Sequence, residues 1–218
     1  MPGCLLANMG NHGTKSKRGG MEGCAFLAGI SGVILVRHGQ SEWNAAFNRT
    51  RIDPNIPDPP LTAEGRRQAE VAAQALVRSG IRRLLVSPYA RALETAEIIS
   101  AQTGMAMAVE PMVRERAAFS CDIGTPRSRL AARWPQLSFD HVEEIWWPSA
   151  IESEAELGHR CGRFRATARS LADWQQVAVV THWGFIRGIA GVEAHNGELV
   201  RFDPHLRPFA QRAGPSGD

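Results

Sequence analysis

Hydrophobic positions fall into two patterns along this chain. In three places a short, nearly continuous apolar run meets a polar break and then a stretch able to form a helix. These are GVILV before RHGQSEWN, IRRLLV before SPYARALETAEIIS, and QQVAVVT before HWGFIRGIAG. Continuous apolar runs of this length suit strands buried on both faces, as in a parallel sheet covered by helices. Repeated strand-then-helix units predict an α/β fold.

The second pattern is helical. Thr62 is a good N-cap for the alanine-rich stretch AEGRRQAEVAAQALVRS, and Gly80 supplies a stop. Ser153 opens another helix, with Glu156 completing a capping box and Leu157, Cys161, Phe164 and Leu171 recurring at helical spacing. Between these, NRTRIDPNIPDPP (48–60) is too proline-rich for regular structure and reads as a loop. Residues 117–150 read as an irregular insert or lid, and Trp134, Trp146 and Trp147 within it as core. Residues 1–31 read as a flexible leader, or as sequence upstream of a later start such as Met21, and 206–218 as a disordered tail. A single domain over 32–205 is left.

Composition narrows the function classes. A hydrophobic fraction of 44% and a charged fraction of 22% are those of a soluble globular protein. Net charge is +3, and Lys15 and Lys17 are the only lysines, so the cations are almost all arginine, the better bidentate partner for phosphate or carboxylate. No basic stripe interleaved with aromatics appears, which argues against nucleic acid as a partner. Cys4, Cys24, Cys121 and Cys161 form no CxxC pair or metal-ligand cluster; free thiols in a reducing cytoplasm are the simplest account. No run approaches a membrane span, and Pro2 stands where a myristoylation site needs glycine, so no membrane partner is expected.

In open α/β sheets ligands bind beyond the carboxyl ends of the strands. At the three predicted strand ends stand Arg37 and His38, then Ser87 and Arg91, then His182. Two arginines and two histidines on one edge suit a phosphoryl group: arginine forks grip its oxygens, and a neutral imidazole is a nucleophile. No Walker lysine motif or metal-ligand set accompanies them. Ser87 reads as a turn or N-cap residue.

LVRHGQSEWN resembles the signature of the histidine phosphatase superfamily, which includes cofactor-dependent phosphoglycerate mutases and many small phosphatases. LTAEGRRQA, SPYARALETAEII and VVTHWGFIR continue the likeness in order and in rough spacing, over about 32–190. An isolated NHG at 11–13 has no strand before it. The resemblance implies a three-layer α/β/α sandwich with a mostly parallel central sheet and no metal or cofactor. It implies His38 as the nucleophile that becomes a phosphohistidine. Arg37, Arg91, His182 and Asn44, from the SEWN turn, would hold the phosphoryl oxygens. Glu115 would be the acid that protonates the leaving oxygen; Glu110 and Glu152 lie nearby in sequence, and an ion pair with Arg114 or Arg116 would explain Glu115 equally simply.

The chain departs from the family pattern at Gln40, where glutamate is usual, and at Trp183, where a small residue is frequent and the pocket wall becomes bulkier. RIDPNIPDPPLT replaces the glycine-tryptophan segment of the mutases, which favours a phosphatase acting on a small phosphorylated metabolite. A phosphoglycerate-type mutase using the same intermediate is the alternative, and a non-catalytic phospho-ligand binding domain a third. The sheet edge or the apolar 117–150 region could each support a homodimer.

Overall fold

The computed structural model describes residues 32–206. The leader over 1–31, with its NHG tripeptide, Cys4 and Cys24, and the tail from 207 onward lie outside the described residues. The three apolar runs are strands: β1 (Val33–Arg37), β2 (Arg83–Val86) and, fourth in the chain, the strand Val177–Thr181. A short strand, β3 (Ala106–Val109), precedes the last of these, which is therefore β4; β5 (Leu199–Phe202) closes the chain order. The sheet order is β3-β2-β4-β1-β5, parallel throughout except for β5, which runs antiparallel beside β1.

Among the described residues six α-helices accompany it: α1 (Glu42–Thr50), α2 (Ala63–Leu76), α3 (Ala90–Thr103), α4 (Arg127–Arg133), α5 (Glu154–Ser170) and α6 (Trp183–Ala190). Alternate side chains of the strands feed two separate cores. Ile34, Val36, Leu84, Val86, Ala178 and Val180 pack against α2, α3 and the 130–146 region. Val33, Leu35, Val177 and Val179 pack against Leu157, Cys161 and Phe164 of α5 and Phe185, Ile186 and Ile189 of α6. Strands buried on both faces explain why the runs are continuous and not alternating. The result is the expected three-layer α/β/α sandwich.

Local chemistry sets the helix starts. The Thr62 hydroxyl accepts from the Gly65 amide, and Ser153 and Glu156 form the capping box read from the sequence. Two expectations need correction. The loop assigned to 48–60 starts too early, because Asn48, Arg49 and Thr50 complete the last turn of α1 before Arg51 caps it in a left-handed conformation (φ 59°). Residues 117–150 are less irregular than expected: they contain α4, and Leu130, Trp134, Phe139, Val142 and Trp146 are buried in the α3-side core. Trp147 packs half-buried against that core. Helix α2 ends at Leu76, and Gly80, at φ +78°, lies in the turn that follows.

The Arg37–Gly39 turn passes very close to α2. A Cβ on Gly39 would collide with the Gly65 carbonyl, and one on Gly65 with the Gln40 carbonyl. Two bare backbones are therefore needed where β1 leaves the sheet. Gly39→Ala is expected to lower stability by roughly 1–3 kcal/mol, the usual cost of overpacking, read as a reduced denaturant midpoint.

Candidate active site

Register brings the three strand ends to one edge. Arg37 pairs with Thr181 and Val86 with Val180, so His38, Ser87 and His182 emerge side by side. The His38 amide donates to the Thr181 carbonyl (2.9 Å) and the Ser87 amide to the Val180 carbonyl (3.1 Å). The His38 and His182 rings lie 5.0 Å apart, centroid to centroid. Arg91 arrives from the first turn of α3, Asn44 from the first turn of α1, and Glu115 from the segment after β3.

Arg37, His38, Asn44, Arg91 and Glu115 line one pocket of about 450 Å³. His182 is wholly buried beside His38, with Trp183 and Gly184 after it contributing to the pocket wall. All six residues singled out from the sequence are therefore gathered, five on the lining and one immediately behind it.

His38 is 3% exposed, and its Nδ1 lies 2.7 Å from the Gly39 carbonyl. A carbonyl only accepts, so this contact assigns the proton to Nδ1 and leaves a lone pair on Nε2. Burial first, then the Arg91 and Arg37 charges, holds the imidazole well below its usual pKa. His38 is thus neutral at physiological pH, in the tautomer with Nε2 unprotonated.

His182 is held well below its usual value by burial first and then by Arg91. Its Nε2 meets the Ser87 hydroxyl at 2.7 Å. Ser87 is therefore not the helix cap; Tyr89 occupies that position, and Ser87 orients an imidazole. Two buried nitrogens of the cluster, Arg37 Nε and His182 Nδ1, have no protein hydrogen-bond partner. Buried polar groups are normally satisfied, so such a pair within one cluster suits an acceptor-rich anion.

The arginines are braced by backbone oxygens. Arg37 donates from Nη1 to the Ala194 carbonyl (2.7 Å). Arg91, 2% exposed, donates to the Cys121 carbonyl (2.8 Å) and to Asp122 Oδ1 (3.2 Å), and lies 4.3 Å from the Tyr89 ring centroid. Asp122 also accepts from the Ala118 and Phe119 amides, so its charge is shared between Arg91 and the loop it organises.

Glu115 makes neither of the ion pairs considered for it. Arg114 pairs with Glu152, and Arg116 with Glu154. The Glu115 carboxylate accepts from two backbone amides instead, those of Arg116 (2.8 Å) and Gly184 (3.2 Å). Burial, reinforced by the Asp122 charge, raises its pKa above the ordinary carboxylate value despite those bonds. The alternatives are engaged elsewhere: Glu110 accepts from the Met112 amide, and Glu152 is clamped by Arg114 and Arg160. Arg160 also donates to the Met112 and Arg114 carbonyls, and the Thr181 hydroxyl to that of Val113, which fixes the segment leading to Glu115.

Asn44 is both cap and pocket residue. It stands third in α1, not in a turn, and its Oδ1 accepts from the Ser41 amide and hydroxyl and from Asn196. Its amide Nδ2 remains a donor on the lining.

Asp122 and Asn196 had no sequence signal of their own, since each acts through a tertiary contact; Ser87 stood at a predicted strand end, but its contact with His182 is likewise tertiary. Trp43 and Phe47, four apart on α1, did carry one in their helical spacing. Among the described residues, no group of three or more His, Cys, Asp or Glu side chains is placed to hold a metal ion, and no helix is long and apolar enough to cross a membrane.

The model of the histidine phosphatase superfamily (branch 1) matches residues 33–203. The chain belongs to that superfamily. It is 42% identical over 185 residues to the "Probable phosphoglycerate mutase GpmB" of Yersinia pestis (strain Pestoides F), covering 78% of this chain and 79% of that one. The protein of the same name from Serratia proteamaculans (strain 568) is 32% identical over 157 residues, 69% of this chain and 68% of the relative. Among solved structures, the mycobacterial glucosyl-3-phosphoglycerate phosphatase shares the fold with a TM-score of 0.51 and 24% identity, over 73% of this chain and 77% of that one. The ecdysone phosphate phosphatase from Bombix mori, in complex with tungstate, does so at 0.53 and 19%, over 74% and 76%.

Proposed function

We propose that this histidine phosphatase superfamily member is a metal-independent phosphatase that hydrolyses a small phosphomonoester through a phosphohistidine on His38. The observation that carries the reading is the Nδ1 contact of His38 with the Gly39 carbonyl, which presents an unprotonated Nε2 among Arg37, Arg91 and His182. The phosphoryl oxygens are gripped by the two guanidinium groups, by the Asn44 amide and by His182 Nδ1–H, for which the Ser87 hydroxyl donates to Nε2.

Nε2 attacks phosphorus as the ester P–O bond breaks, and the leaving oxygen takes the proton of Glu115. A water then attacks phosphorus as the P–N bond breaks; its proton returns to the Glu115 carboxylate, and inorganic phosphate leaves. A carboxyl group with a raised pKa suits both halves of this cycle. A reducing compartment, the cytoplasm, fits the free thiols of Cys121 and Cys161.

The second reading is a phosphoglycerate mutase, favoured by the names of the relatives that share 32–42% identity. It differs only in where the phosphoryl group goes from His38. Incubation with 3-phosphoglycerate and a trace of its bisphosphate separates the two. Release of inorganic phosphate is expected; isomer formation without release overturns the phosphatase reading.

A further inference from the structure

The pocket that holds the His38 cluster has a second half that phosphate chemistry does not use. Its wall is aromatic. Trp43 and Phe47 of α1 stack with centroids 4.5 Å apart and planes 11° from parallel. Phe119, from the start of the 117–150 region, leans on both at 5.1 and 5.6 Å. Trp183 adds a fourth ring to the lining, and Phe119 is 47% exposed despite its size. An exposed large aromatic on a concave wall next to a phosphate-gripping cluster is an unfilled contact surface for a ligand.

This wall is preset. The Trp43 indole N–H donates to Asp53 Oδ1 (2.9 Å), while Asp53 Oδ2 accepts from the Ser120 amide (2.9 Å) and Oδ1 from the Ser120 hydroxyl. One carboxylate therefore ties α1 to the segment carrying Phe119, across the proline-rich loop. Partial burial opposes its charge, but the Ser120 and Trp43 bonds win and bring its pKa down to about 2. The latch stays ionised throughout the physiological range.

The cations at this end offer no enclosed second anion grip. Arg116 donates from Nε to the Glu152 carbonyl (2.8 Å) and pairs through Nη1 with Glu154 (3.0 Å). Arg51 is exposed, its guanidinium 5.8 Å from the Phe47 centroid. Both line the pocket, so a carboxylate on the alcohol side would meet aromatic faces and, with Arg116 already paired, the solvent-exposed Arg51, where water screens the attraction. A substrate with a flat apolar group would bury it there, and a cavity of about 450 Å³ has room for a fused ring beyond the phosphate.

We infer that the Trp43–Phe47–Phe119 wall binds a flat apolar group on the alcohol side of the ester, so that aryl and fused-ring phosphomonoesters are the substrate class and phosphoglycerates are not. The inference rests on the phosphate-site reading above. Binding of nonhydrolysable phosphonates tests it without turnover, by calorimetry on the full chain with 1-naphthylmethylphosphonate, methylphosphonate and 2-carboxyethylphosphonate.

The naphthyl compound is expected to bind at least about tenfold more tightly than methylphosphonate, and the carboxyethyl compound no more tightly than it. In Phe119→Ala the naphthyl-to-methyl ratio is expected to shrink to about threefold or less, and Phe47→Ala, on the other side of the wall, serves as the second variant. Equal affinities, a carboxyethyl preference, or an unchanged ratio in both variants overturns the inference. Failure of all three phosphonates to bind overturns the phosphate-site reading and the inference with it. A naphthyl preference in a protein that hydrolyses no ester keeps the aromatic wall as a binding surface but overturns the substrate class together with the phosphatase reading.

Discussion

Replacing His38 by alanine lowers turnover of p-nitrophenyl phosphate by about 10⁴-fold or more while the protein stays folded. The size of the effect follows from the role: with the imidazole gone, no covalent intermediate forms and water must attack the ester directly. Retention of fold follows from the contacts. The one hydrogen bond of the His38 side chain is to the carbonyl of its immediate neighbour, Gly39, so no link between distant elements is cut. Arg37 and Arg91 keep their carbonyl and carboxylate braces, so inorganic phosphate should still bind. Steady-state kinetics, circular dichroism and phosphate calorimetry on the same preparation check all three expectations. Equal hydrolysis by variant and wild type removes His38 from the mechanism.

Glu115→Gln lowers kcat for an alkyl phosphomonoester by about 10²-fold or more, and for p-nitrophenyl phosphate by much less, because a good leaving group needs little help from an acid. Glutamine keeps one acceptor oxygen for the Arg116 or Gly184 amide, so the loss reports on the proton more than on the fold. The pH profile gives the sharper signature. Glu115 must carry its proton, and burial followed by the Asp122 charge raises its pKa; activity therefore persists above the ordinary carboxylate range and falls as pH rises through that raised value. His38 and His182 must be neutral, and both are held well below their usual values by burial and then by Arg91, so the acid limb lies below the usual imidazole range. The alkaline limb should vanish in Glu115→Gln while the acid limb stays. An unchanged alkaline limb assigns it to another group.

The strand ends were legible because parallel strands covered by helices leave unbroken apolar runs, and ligand chemistry gathers where those runs stop. That placed Arg37, His38, Arg91 and His182 on one edge before any geometry was known. What stayed hidden has physical reasons. β3 reads AMAV with Ala106 and Ala108 exposed at the sheet edge, so no apolar run marks it. β5 carries Arg201 within four residues and pairs only with β1. The polar end of α1, Asn48 to Thr50, looks like the loop that follows because its side chains face water. Trp134 and Trp146 join the core through a segment whose regular structure is one short α-helix and a single 3-10 turn, which periodicity cannot detect. Ser87 and Asp122 act on His182 and Arg91 through contacts 95 and 31 residues away in sequence, beyond the reach of any local pattern.

The resemblance named the acid as Glu115, but the local sequence left it level with an ion pair to Arg114 or Arg116. The structure separates these by engaging both arginines elsewhere. That contact pattern makes Glu115 a half-buried carboxyl group on the same pocket lining as His38, accepting from backbone amides.

The central claim is covalent phosphorylation of His38. Brief incubation with a ³²P-labelled phosphomonoester, a quench in alkali and digestion should yield label on the peptide spanning Arg37 to Asn44, stable in base and lost in acid, and absent from His38→Ala. Steady hydrolysis of the ester with no label trapped on that peptide, or the same label in the alanine variant, contradicts the account.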